Sequence, residues 1–137
     1  MLTGTNSVAC VFCFSERPVK AIDADDRLVR NIYDDEFEPF VWEGKEHAGQ
    51  SVMQLDASMP CGTGFHIYRM APGAITTPHE HTSDEHFFLI EGDAVDHDGH
   101  EYKPGDIVLL KKGTVHNTRT RNGCTFVVYL TSAESSV

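Results

Sequence analysis

The sequence predicts an all-β domain, a sandwich or closed barrel, on three observations. From Phe40 onward, short β-prone runs alternate with turn signals. Pro72-Gly73, Asp98-Gly99, Pro104-Gly105 and Asn122-Gly123 supply those signals, and the Asp-Gly and Asn-Gly pairs suit tight hairpins. No stretch beyond residue 50 sustains the period of an amphipathic helix.

Taken in order, strands are predicted over Gly64–Met70, Ile75–His81, Glu85–Ile90, Ile107–Leu110, Val115–Thr120 and Thr125–Thr131. These are short β-prone runs, separated by turn signals. Residues 1–32 read as an N-terminal strand extension, with a strand at Val8–Phe14 and a second around Val19–Ile22. They would pair with the barrel or with a dimer partner. The barrel itself spans 33–132, and 133–137 is expected to be a frayed tail.

The 137 residues suit one domain and bury a core without staples. The net charge of −10 argues against nucleic acid, since phosphate recognition places lysine and arginine against the backbone. Surplus acid concentrates in Asp23, Asp25, Asp26, Asp34, Asp35, Glu36 and Glu38, which reads as a solvated face. No apolar run reaches the roughly 18 residues of a membrane span, and no basic segment precedes Val8–Phe14. A cytoplasmic protein with no membrane partner is therefore expected. Cys10 and Cys13 form a CxxC within a β-prone run. Residues three apart on a strand face opposite ways, so these read as buried apolar cysteines rather than a redox pair.

The chemistry begins at Gly73. Five residues on come His79-Glu80-His81, then Glu85 after three more, then Gly92 after six. A second stretch holds Gly105, Gly113 and His116. His79 and His81 are two apart on a strand, so both imidazoles project from one face. Thr82-Ser83-Asp84 reverses the chain and Glu85 starts the returning strand. With His116 on the same wall, four ligands converge: His79, His81, Glu85 and His116. Three imidazoles and a carboxylate suit one divalent transition metal ion, with calcium and magnesium disfavoured. An octahedral ion would leave two positions open, whereas four-coordinate zinc would leave none.

The stretch GAITTPHEHTSDEHFFLIEG matches the first motif of the cupins, G(X)5HXH(X)3,4E(X)6G, at every fixed position. The stretch GDIVLLKKGTVHNTRT matches the second, G(X)5PXG(X)2H(X)3N, in part, with Lys111 where the family has proline and Thr120 where it has asparagine. Only twelve residues, Asp93–Pro104, separate the two. Trp42-Glu43-Gly44, Arg69–Gly73 and Asn122–Phe126 add a resemblance to ChrR-like cupins over roughly residues 37–131. The resemblance implies a jelly-roll (double-stranded β-helix) barrel, frequently a homodimer, with metal on the motif residues. It implies iron in small dioxygenases that cleave β-diketones or aryl ketones, and zinc in the anti-sigma relatives. Manganese or nickel would also suit the set.

Alternation from the ligands places Ile75, Thr77, Phe87, Leu89, Thr118 and Thr120 on the interior, a mostly apolar substrate pocket with a few hydroxyls. His86 should point outward, His97 and His100 should decorate a polar hairpin tip with Asp96 nearby, and His47 should lie in a surface loop. His66 would serve as a general base or support if it faces inward, and Arg69 reads as a surface residue. No Ser-His-Asp arrangement or phosphate-cradling glycine loop is present.

Three functions suit these residues. The first is a metal-dependent oxygenase on a small-molecule substrate. The second is a non-catalytic ligand-binding or sensor module. For it, the first 32 residues are too short for the helical zinc domain with which anti-sigma relatives grip a sigma factor. The third, a metal-assisted isomerase or lyase, would need more inward polar groups.

Overall fold

A computed structural model describes residues 18–137. The strands are β1 (Glu38–Trp42), β2 (Lys45–Gln54), β3 (Gly64–Met70), β4 (His79–Glu80), β5 (Glu85–Gly92), β6 (Ala94–Asp96), β7 (Glu101–Tyr102), β8 (Ile107–Leu110), β9 (Val115–His116), β10 (Thr118–Arg119), β11 (Cys124–Leu130) and β12 (Ser135–Ser136). One wall is a six-stranded sheet in the order β1-β2-β3-β11-β5-β8. Two three-stranded sheets, β10-β6-β7 and β12-β4-β9, make the other. The crossovers between non-consecutive neighbours give the jelly-roll cupin topology that the motifs imply. Among the described residues, no helix is long and apolar enough to cross a membrane.

The core lies on the inner face of the large sheet, and strand alternation puts it there. On β5, Glu85, Phe87 and Leu89 are buried while His86 and Phe88 are exposed. Phe126, Val128 and Leu130 of β11 are buried beside them. The Phe87 ring meets Tyr102 at 5.1 Å and Phe126 at 5.3 Å, both edge to face.

The end of the first motif meets the closing hairpin at one close approach. β5 pairs with β11 so that Gly92 lies opposite Cys124. A Cβ on Gly92 would fall 2.0 Å from the carbonyl oxygen of Gly123. Glycine is required there by space as well as by its positive φ of 92°.

Four expectations need correction. Ile75–His81 is not one strand: Ile75 makes an isolated bridge to Arg119, and only His79–Glu80 joins a sheet. Pro78 lies between them and has no N–H to give a ladder. The run Val115–Thr120 divides at Asn117, whose carbonyl accepts from the His97 N–H at 3.0 Å. No strand forms at Val19–Ile22, where both named residues are exposed and the chain makes only a 3-10 turn over Ala24–Asp26. The stretch 133–137 is not a free tail, because Ser135 pairs with Glu80 and Ser136 with His79. The strand at Val8–Phe14 and the Cys10/Cys13 pair lie outside the described residues.

Candidate metal centre

Three backbone pairings build the site. β4 runs antiparallel to β9 with His79 opposite His116. His81 follows β4, donates its N–H to the Thr114 carbonyl at 2.9 Å and accepts from the Gly113 N–H at 2.8 Å. The Gly113-Thr114 turn, which carries the second motif's glycine, thus holds the first motif's histidine. That turn needs no proline, because Lys111 accepts from the Thr114 N–H at 3.0 Å and Asp84 accepts from the Lys112 N–H at 2.8 Å. Glu85 enters from the large sheet at the start of β5.

The four predicted ligands come together. The rings of His79, His81 and His116 have centroids 4.7–5.1 Å apart, and all three residues are buried. His81 Nε2 lies 3.0 Å from His116 Nε2 and 3.8 Å from Glu85 Oε1. His79 Nδ1 lies 2.7 Å from the Thr77 carbonyl, which can only accept, so that nitrogen carries the proton and Nε2 carries a lone pair. His116 Nδ1 lies 3.1 Å from Asp96 Oδ2 and is oriented in the same way. His81 Nδ1 is buried with no hydrogen-bond partner. Lone pairs converging on one space, beside an unsatisfied buried nitrogen, make a donor set with room for a cation. This buried histidine triad could hold a metal ion.

The electrostatics agree with that geometry. Burial, then the neighbouring His116 and His79, lowers the His81 pKa to about 4, so it is neutral at physiological pH. Burial raises Glu85 well above the usual carboxylate value, and the charges of Glu134 and Asp96 raise it further. Asp96 goes the other way. Burial alone would raise it, but hydrogen bonds from His116, from Thr118 at 2.6 Å and from Tyr102 at 2.7 Å hold it low. Asp96 is therefore the fixed anion that orients His116.

A cavity of about 80 Å³ opens beside the triad. Of the six predicted pocket residues, Thr77, Phe87 and Thr118 line it. Ile75 is 58% exposed, since the chain before Pro78 is not regular strand and alternation does not extend through it. Leu89 is fully buried in the core beyond the cavity. Thr120 turns to the closing hairpin, where its hydroxyl accepts from the Gly123 N–H at 2.9 Å.

His66 is buried and lines the cavity, with burial lowering its pKa. His47 is not a loop residue. It sits on β2, packs 5.7 Å from both Phe40 and Trp42, and reaches the same cavity. Arg69 is half-buried, over the Phe37 ring at 3.8 Å and donating to the Ile32 carbonyl. His86, His97 and His100 are exposed. Sequence reasoning missed Trp42, Gln50, Tyr68 and Glu134 as cavity residues. The alternation of β2 would have offered Gln50 only with its register known, and Glu134 carried no signal.

A family model described as "ChrR Cupin-like domain" matches residues 36–134. A putative acetylacetone dioxygenase from Methylibium petroleiphilum PM1 superposes with a TM-score of 0.65 at 14% identity, covering 88% of this chain and 85% of that one. An acetylacetone dioxygenase from Acinetobacter johnsonii gives 0.57 at 15% identity, covering 83% and 78%. The complex of Rhodobacter sphaeroides SigE with the anti-sigma ChrR gives 0.55 at 16% identity, covering 72% of this chain. The chain spans 50% of the chain it matches there. At these identities the likeness is one of fold. No curated protein sequence matches the chain.

Proposed function

Because the chain belongs to the ChrR cupin-like domain family, we propose that it is a metal-dependent enzyme of the dioxygenase type acting on a small β-dicarbonyl or aryl ketone. The observation that carries this reading is the junction of two environments: buried imidazoles and a carboxylate on one side, an apolar cavity on the other. Two neighbours of similar fold bear the names acetylacetone dioxygenase and putative acetylacetone dioxygenase.

His79, His81, His116 and Glu85 would hold the ion. When bound, it would supply Lewis acidity and, if redox-active, a path for electrons to dioxygen. The protein's own groups perform the remaining tasks. Phe87, Phe126, Val128 and Leu130 present an apolar wall that excludes water from the substrate. Glu85, whose burial raises its proton affinity, would either stay as a ligand or detach to take the proton that a β-dicarbonyl sheds on becoming an enolate. Asp96 keeps the His116 lone pair aimed inward throughout. The cavity suits a substrate of few heavy atoms and is too small for an oligosaccharide.

The test is dioxygen uptake by iron-loaded protein with a panel of acetylacetone, longer β-diketones and phenolic ketones. Uptake that depends on the ketone supports the reading. No uptake with any of them, by protein shown to contain iron, overturns it. A ligand-binding or sensor role is the second reading, supported by the family match and the likeness to the anti-sigma complex. Saturable binding of a ketone without turnover would favour it.

A further inference from the structure

Glu134 lies outside both sequence motifs, yet the fold delivers it to the centre. β12 pairs with β4 so that Ser136 lies opposite His79, which brings the residue before the strand to the histidines. Two side chains secure this stretch. The Trp42 indole N–H donates to the Glu134 carbonyl at 3.2 Å, and the Thr82 hydroxyl donates to the Ala133 carbonyl at 2.6 Å. The Glu134 carboxylate is mostly buried, with Oε1 3.5 Å from His79 Nε2 and 4.0 Å from His81 Nδ1.

These contacts are poorly matched without a cation. His79 spends its proton on Thr77, so a neutral His79 turns a lone pair toward the carboxylate. His81 Nδ1 has no partner within hydrogen-bond range. An ion with bonds of about 2.0–2.2 Å sets its donors roughly 3 to 4.4 Å apart. The separations of 3.0 Å between His81 Nε2 and His116 Nε2, 3.8 Å between His81 Nε2 and Glu85 Oε1, and 3.5 Å between His79 Nε2 and Glu134 Oε1 all fall in that span. His81, Glu85 and Glu134 also form a potential metal-holding group of their own, sharing His81 with the histidine triad.

We propose that Glu134 is a fifth donor of this centre, so that three imidazoles and two carboxylates hold one divalent ion with no net charge. The proposal rests on the reading of His79, His81, Glu85 and His116 as metal-binding residues. It leaves one position of an octahedral ion for an exogenous ligand, where the motif residues alone would leave two.

Cobalt(II) is the probe, titrated into the full chain and into Glu134→Gln. The variant keeps the carbonyl that Trp42 holds and removes only the anionic oxygens. Its cobalt affinity is expected to fall about tenfold or more, with a changed visible absorption spectrum. A crystal structure of the cobalt-loaded native chain should place a Glu134 oxygen within about 2.3 Å of the ion. An unchanged affinity and spectrum, or a carboxylate beyond about 3 Å in that crystal, overturns the role of Glu134 alone. A native chain that binds no cobalt overturns the metal reading itself. The crystal decides the matter even if the variant fails to fold.

Discussion

Two trios of histidine share this barrel, and they differ in everything but their side chain. His79, His81 and His116 are buried, with centroids within 5.1 Å of one another. His86, His97 and His100 are exposed. In the first trio, His79 and His116 meet acceptor oxygens from behind, the Thr77 carbonyl and the Asp96 carboxylate, which direct lone pairs inward, while His81 Nδ1 has no partner. In the second trio, His86 lies tilted 6.3 Å from the Tyr129 ring and His100 meets Tyr102 edge to face at 4.7 Å. Burial sets all three apart as candidate ligands, an acceptor behind the ring orients two of them, and histidine density alone does neither.

The comparison breaks most easily at the ligands. His81→Ala or His116→Ala should weaken cobalt or zinc binding by more than about 100-fold in a chelator competition. A smaller loss would mean that the buried trio is packing. Next comes the acceptor. Asp96→Asn should cost about 10- to 100-fold in the same assay, because the amide cannot accept from His116, Tyr102 and Thr118 together. Equal affinity would show that the orientation of His116 has another source.

A subtler difference lies in protons. His81, with its pKa lowered to about 4, is already neutral at pH 6 and has no proton to give up. Glu85, raised first by burial and then by Glu134 and Asp96, retains its proton to higher pH than an ordinary glutamic acid. An ion requires the carboxylate, so uptake expels that proton and affinity should rise with pH while Glu85 titrates. Calorimetry in buffers of different ionisation enthalpy counts the protons, and Glu85→Gln should release fewer. An unchanged count would place the released proton elsewhere. The smallest expected effect is that of the exposed trio: His97→Ala combined with His100→Ala should leave affinity unchanged within error. A measurable loss would assign the hairpin tip a share in metal binding.

What was legible from the sequence follows from how local each feature is. His79 lies on β4, His81 directly follows it and Glu85 opens β5 four residues on, so a short local spacing suffices to bring them together. His116 lay in register although Lys111 and Thr120 depart from the family pattern. Backbone hydrogen bonds at Lys111 and Asp84 hold the turn that proline would otherwise stiffen. Asp96 was noticed as a neighbour of the hairpin histidines, but its inward turn depends on pairing across β6 and β10. Ile75 failed because Pro78 interrupts the period on which its placement relied. Glu134 reaches the site through a two-residue ladder more than fifty residues along the chain from its strand partners, and no local pattern encodes that.

Gly92 has a consequence for where this protein can change. Its contact with Gly123 leaves no space for a side chain, so the ends of β5 and the start of β11 are clasped at fixed separation. The chain between them leaves this clasp and returns to it, passing through the exposed tip at His97–His100. Length gained or lost over evolution should therefore accumulate at that tip, while the clasp stays invariant. The hairpin is where the barrel has room for such change, and the clasp holds β5, which carries Glu85 to the candidate metal centre, at a fixed separation from β11.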